Sequence, residues 1–135
     1  MNCLAVCIQP PRIDEFLPLA RPFIERATAR CGDWTADEIV QGLREGRMLL
    51  WFALCDGEAA GAAVTELVTT RSTGRMCNII LCGGTSLRRW AHLKDAIEAY
   101  ARAQGCTRVR LSGRRGWARV FRDYQQPYVT LEKMM

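Results

Sequence analysis

Residues 78–124 read NIILCGGTSLRRWAHLKDAIEAYARAQGCTRVRLSGRRGWARVFRDY and pass without a break through strand, glycine turn, long helix, strand, arginine loop and short helix. Asn78, Ile79, Ile80 and Leu81 open a largely apolar strand, Gly83 and Gly84 interrupt it, and Ser86 has the chemistry to cap the next helix. Leu87, Trp90, Leu93, Ile97, Tyr100 and Ala101 then recur every three or four residues, which gives that helix one apolar face. Gly105 ends it. Residues 108–111 alternate polar and apolar as a strand does, and Gly113-Arg114-Arg115-Gly116 leads into Trp117, Val120, Phe121 and Tyr124, again at helical spacing. Two parallel strands joined by a right-handed helical crossover are expected, parting at the end of the first strand.

Upstream, residues 75–82 and 59–69 read as strands joined by a turn at Ser72-Thr73-Gly74, and residues 48–55 as a third, joined through Asp56-Gly57, a strong short hairpin signal. Gly61 among Ala59, Ala60, Ala62 and Ala63 keeps that hairpin narrow, which lets another group approach its backbone closely; a tightly packed helix is expected there in preference to a ligand. Thr35 and Glu38 form a capping box ahead of Ile39, Val40 and Leu43. Residues 3–8 make a first strand that Pro10-Pro11 stops. The helical pattern opening at Asp14 contains Pro18 and Pro22, which predict a kinked or divided helix. After Pro127, residues 128–134 alternate as a final strand. The element order is β-α-α-β-β-β-α-β-α-β, an α/β (α+β) mixed sheet with helices on both faces, in one domain over 1–135.

A chain of 135 residues with 49% hydrophobic and 24% charged residues buries an ordinary globular core. No apolar run approaches the ~20 residues of a membrane span, and the start lacks a basic leader, so a cytoplasmic location is expected. The seven cysteines are an odd number, scattered and mostly within apolar runs; all are expected to be reduced thiols. There is no CxxC pair and His92 is the only histidine, so no metal site is expected. Net charge is +5, and 17 of the 19 basic residues are arginines, Lys94 and Lys133 being the others. That charge suits an anionic partner without choosing among cofactor, nucleic acid and acidic protein.

Asp56-Gly57-Glu58 followed by Gly61, the run from Ala101 through Gly105-Cys106 to Leu111, and the segment after it resemble the GNAT superfamily of N-acetyltransferases over nearly the whole chain. The stretch from Gly113 through Trp117 to Val120 is similar to compact GNAT-like proteins encoded by phages and prophages, which at domain level are similar to a small internal virion protein of short-tailed phages. The resemblance implies a glycine-rich loop before the long helix that binds the pyrophosphate of acetyl-CoA on bare backbone amides. Here Arg88 and Trp90 fall where small residues belong, so an indole occupies the expected pyrophosphate seat. A shifted loop, Gly83-Gly84-Thr85-Ser86 with Arg88 and Arg89 as cationic arms, is the candidate replacement.

The resemblance also implies a tyrosine general acid in the last helix, where this chain has Phe121; Tyr124, one turn on, is the substitute candidate. Glu66 is the candidate base, ahead of Glu58 in the turn. Arg114, Arg115, Arg119 and Arg122 form the densest positive cluster, readable as an anion- or partner-binding surface or as a solvated face. Trp90 and Trp117 share the spacing of Leu93, Ile97 and Phe121, and all five are expected to be buried. The departures at Trp90 and Phe121 favour a non-catalytic GNAT-fold virion or assembly component that binds protein chains, without acetyl-CoA and in preference to nucleic acid, packaged in a virion or free in the host cytoplasm. The alternative is an N-acetyltransferase moving acetyl from acetyl-CoA to a primary amine.

Overall fold

The computed structural model describes residues 3–31, 33–72, 74–84, 91–113 and 115–135. The chain enters through β1 (Cys3–Ile8), a 3-10 turn at Pro10–Arg12, α1 (Ile13–Cys31) and α2 (Ala36–Arg44). β2 (Leu49–Cys55), β3 (Glu58–Thr70) and β4 (Gly74–Gly84) follow, then α3 (Ala91–Ala103) and β5 (Arg108–Leu111). Among the described residues the sheet has the order β1-β2-β3-β4-β5, antiparallel except for the parallel β4–β5 pair. This is the mixed sheet, and the helix-linked parallel pair, that the sequence predicts.

Local chemistry accounts for the joints. Asp56 and Gly57 have φ of 52° and 82°, the two left-handed residues that a tight hairpin demands. At the end of α3, Cys106 N–H donates to Ala101 O (2.9 Å) and Gly105 N–H to Arg102 O (3.1 Å), with Gly105 at φ 76°. This Schellman closure turns the chain into β5. Thr107 N–H then donates to Arg75 O (2.8 Å), which starts the parallel register Met76↔Arg108. The capping box is present, Glu38 N–H donating to Thr35 Oγ1 and Thr35 N–H to Glu38 Oε1. Thr35→Ala is expected to lower stability by about 0.5–2 kcal/mol, measured by urea unfolding.

The sheet is covered on both faces, and strand parity divides the core. Leu50, Phe52, Ala62 and Val64 meet Leu17, Ile24, Ile39 and Leu43 of α1 and α2. Trp51, Ala53, Ala63 and Ile79 meet Leu93, Ile97 and Ala101 of α3, joined by Phe121. The apolar run of β2 therefore serves both layers. Trp51 Nε1–H donates to the buried Thr65 Oγ1 (3.0 Å), which satisfies the polar pair inside the α3 layer. No helix among the described residues is long and apolar enough to cross a membrane.

Four expectations are corrected. Of the kink or division expected at Pro18 and Pro22, the division is absent, since both lie within the 19 residues of the single helix α1; burial of Leu17, Ala20, Phe23 and Ile24 offsets the missing amide donors. The segment after β5 is not a helix through Tyr124 but a 3-10 turn at Arg115–Arg119, because so short a stretch gains more from packing its aromatic rings than from continuing a ladder. Residues 125–135 form no strand, and Val129 and Leu131 are exposed, so their alternation buries nothing. Cys3 and Cys55, directly opposite in the β1–β2 register, are joined as a disulfide rather than both being thiols. Among the residues expected to be buried, Leu93, Ile97 and Phe121 are, whereas Trp117 is only half-buried and Trp90 lies outside the described residues.

Candidate active site

The end of β4 is where the sheet becomes irregular. Val64 pairs with Leu81 but Thr65 with Ile79, so Ile80 is an extra residue, a bulge that breaks the ladder locally. Pairing with β5 ends at Ile79↔Leu111, while β4 runs on to Gly84. From Ile80 onward β4 is thus held by β3 alone, and the strands part where the sequence places the parting. At the strand's tip, a Cβ on Gly83 would meet nothing within 4 Å, and Gly84 is exposed. A glycine with that much room marks a strand end where another group can approach the backbone closely.

Of the loop candidates, Gly83 and Gly84 close β4, whereas Thr85, Ser86, Arg88 and Arg89 lie outside the described residues. Arg119 and Arg122 are exposed, Arg122 Nε donating to Arg119 O (3.2 Å). Arg115 begins the 3-10 turn, and Arg114 lies outside the described residues.

The structure does not bring Glu66 and Tyr124 together. Trp51 and Leu67 belong to the α3 layer and Thr65 bonds Trp51, so strand alternation puts the intervening, half-buried Glu66 on the α1–α2 face opposite Asn78. Tyr124 lies on the α3 face. Its hydroxyl donates to Glu98 Oε2 (2.8 Å), and Lys94 Nζ pairs with Glu98 (3.1 Å) and Asp123 (3.1 Å). The phenol's ring stacks edge-on against Phe121 at 4.9 Å. Glu98, Lys94 and Asp123 escaped the sequence reading. The 94/98 spacing on one helix face was the available signal; the partner on the following segment was not.

Burial, and then the Glu98 carboxylate that accepts its proton, push the Tyr124 phenol above its ordinary range. Burial alone would lower Lys94, but Asp123 and Glu98 outweigh it and the ammonium is raised. The Lys94 ammonium in turn holds Asp123 below the usual carboxylate value. Tyr124 and Lys94 both keep their protons more tightly folded than unfolded. Their contribution is therefore fully present below the unfolded values, about 10 and 10.4, and is lost as pH rises through the folded ones. Alkaline unfolding is expected to begin above about pH 10. Tyr124→Phe should make that onset shallower while lowering neutral-pH stability by about 1–3 kcal/mol, read from melts at several pH values.

Between the sheet and α3 lies a small cavity of about 10 Å³, lined by Ala63, Ile79, Cys82, Leu93, Lys94, Ile97 and Phe121. It admits no more than a water.

No family model matches the chain, and no curated protein does. Solved structures do. An aminoglycoside acetyltransferase from an uncultured soil metagenomic sample, in complex with sisomicin, superposes with a TM-score of 0.69 at 12% identity, covering 98% of this chain and 96% of that one. The ribosomal-protein-alanine N-acetyltransferase from Brucella melitensis biovar Abortus 2308 gives 0.67 at 16% identity, covering 99% of each chain. A predicted acetyltransferase with acetyl-CoA from Clostridium acetobutylicum gives 0.68 at 11%, covering 97% and 96%. At these identities the likeness speaks for architecture, and it is end to end: the chain has the GNAT acetyltransferase fold.

Proposed function

We propose that this chain is an acetyl-CoA-dependent N-acetyltransferase that acylates a primary amine. The observation that carries the reading is the tip of β4, where a bulge, the end of β5 pairing and an unobstructed glycine coincide. That this fold is shared end to end with proteins named as acetyltransferases, one of them with acetyl-CoA, supports acetyl transfer over the assembly role that Trp90 and Phe121 suggest.

When bound, acetyl-CoA supplies an activated thioester. The chain's own residues then divide the work. Gly83 and Gly84, continued by Thr85 and Ser86, offer backbone amides to the pyrophosphate, with Arg88 and Arg89 as cationic arms. Backbone N–H at the Ile80 bulge would donate to the carbonyl oxygen of a thioester held beside it. Glu66, on the α1–α2 face, takes the proton from the incoming ammonium directly or through water. Tyr124 is committed to Glu98, so its hydroxyl first docks the post-β5 segment on α3 and gives up a proton only by leaving that carboxylate. The exposed Arg119 and Arg122, with Arg114 and Arg115 nearby in sequence, form an anion-facing rim.

Calorimetric titration of the purified chain with acetyl-CoA tests this. Saturable one-site binding is expected, weakened by about 10–100-fold in Arg88→Ala with Arg89→Ala, together with thiol release when simple primary amines are added. Absence of saturable binding up to millimolar acetyl-CoA would restore the non-catalytic reading.

A further inference from the structure

We propose that Cys3, Cys55 and His92 form a zinc site in the reduced chain, the disulfide and the metal being alternative states of one thiol pair. The sulfurs and one imidazole nitrogen lie within 4.8 Å of one another, although they come from the start of β1, the end of β2 and the first turn of α3. Sequence spacing gave no sign of this: the residues are far apart in the chain, and antiparallel register alone sets Cys3 opposite Cys55.

The second observation is independent of the first. His92 Nε2 is buried and has no hydrogen-bond partner, an unfavourable state for an imidazole unless something else takes up that nitrogen. Tetrahedral zinc, with bonds of about 2.0–2.3 Å to imidazole and thiolate, spaces its ligand atoms roughly 3.4–3.8 Å apart. Opposed strand residues reach that spacing by side-chain rotation once the sulfurs separate. Two thiolates and an imidazole select a borderline-soft cation over calcium or magnesium. Three protein ligands leave the fourth position to water.

Cys77 and Cys7 are poorer ligands. Burial and Cys106 push the Cys77 thiol up to about 12, and burial raises Cys7 as well. Thiolate formation, which metal binding requires, is thereby disfavoured at both.

The chemistry balances with a dithiol reductant. Two thiols of the reductant are oxidised to its disulfide, and the Cys3–Cys55 bond takes up two electrons and two protons. One zinc ion then binds Cys3, Cys55 and His92, and both thiol protons pass to solvent. The result ties the first turn of α3 to the β1–β2 edge.

The experiment uses the full chain, reduced with dithiothreitol, freed of it by anaerobic gel filtration and titrated with cobalt(II) as a spectroscopic stand-in for zinc. Expected are the thiolate charge-transfer and tetrahedral visible bands, saturating at one metal per chain, bleached by one equivalent of zinc and absent from the oxidised protein. His92→Ala should weaken cobalt binding by about tenfold or more, Cys3→Ser and Cys55→Ser should abolish the bands, and Cys106→Ser should leave them intact. Circular dichroism of each variant separates lost ligation from lost folding. No tetrahedral thiolate bands in the unaltered reduced chain, bands that survive Cys3→Ser with Cys55→Ser, indifference to His92→Ala, or one metal per two chains would each overturn the proposal. Acetyl-CoA binding is not needed for any of these readouts.

Discussion

Phe121→Ala is expected to lower the unfolding free energy by about 3–5 kcal/mol, because it removes the buried aromatic ring that docks the post-β5 segment on the sheet and α3. Phe121 is 4% exposed and stacks edge-on against Trp117 at 6.1 Å and Tyr124 at 4.9 Å. Its backbone belongs to no long helix, since the hydrogen bonds of its segment amount to a 3-10 turn and its immediate continuation. Side-chain packing on Ile79, Leu93 and Ile97 therefore docks the segment, and the Tyr124–Glu98–Lys94 contacts add to it at the rim. Urea unfolding measures the loss as a lower midpoint at unchanged slope. A loss under about 1 kcal/mol would mean that the segment is held by its polar contacts instead. Phe121→Tyr is a finer probe of the same place. The added hydroxyl has only apolar neighbours and Lys94 around the cavity, so it costs about 1–3 kcal/mol unless it reaches the ammonium or solvent.

What was legible in the sequence follows from how local each signal is. Asp56-Gly57, the Thr35/Glu38 box and Gly105 each act within a few residues, and each forms as read. The parallel β4–β5 pair was legible because a long apolar helix face between two strands leaves few other arrangements. Expectations failed where a distant partner outweighed local preference. Pro18 and Pro22 break helices in isolation, but burial against the sheet keeps α1 continuous. Residues 128–134 alternate like a strand, yet alternation does not pair a strand, and they remain outside the sheet. The Cys3–Cys55 bond and the Lys94–Glu98–Asp123–Tyr124 network depend on register and docking between segments remote in the chain. No spacing rule encodes either.

Gly83→Val is expected to weaken acetyl-CoA binding by about 10–100-fold while leaving the fold intact, the loss of one or two charge-assisted backbone hydrogen bonds at about 1.5–3 kcal/mol each. A Cβ at this position meets no atom within 4 Å, and Gly83 has no left-handed φ that valine would strain. It lies in an extended strand, paired with Ala62, where a β-branched residue is at home. Folding therefore has no use for glycine here, and unfolding free energy should stay within about 0.5 kcal/mol of the parent. A ligand seated there would have a use for it, because only a residue without a side chain would let an anion lie against the backbone at the tip of β4. Isothermal titration of Gly83→Val and Gly83→Ala beside the parent, each checked by urea unfolding, separates the two demands. A graded loss from parent to alanine to valine at constant stability places the cofactor on this strand end. Equal affinity in all three would mean that the open backbone at Gly83 faces solvent only.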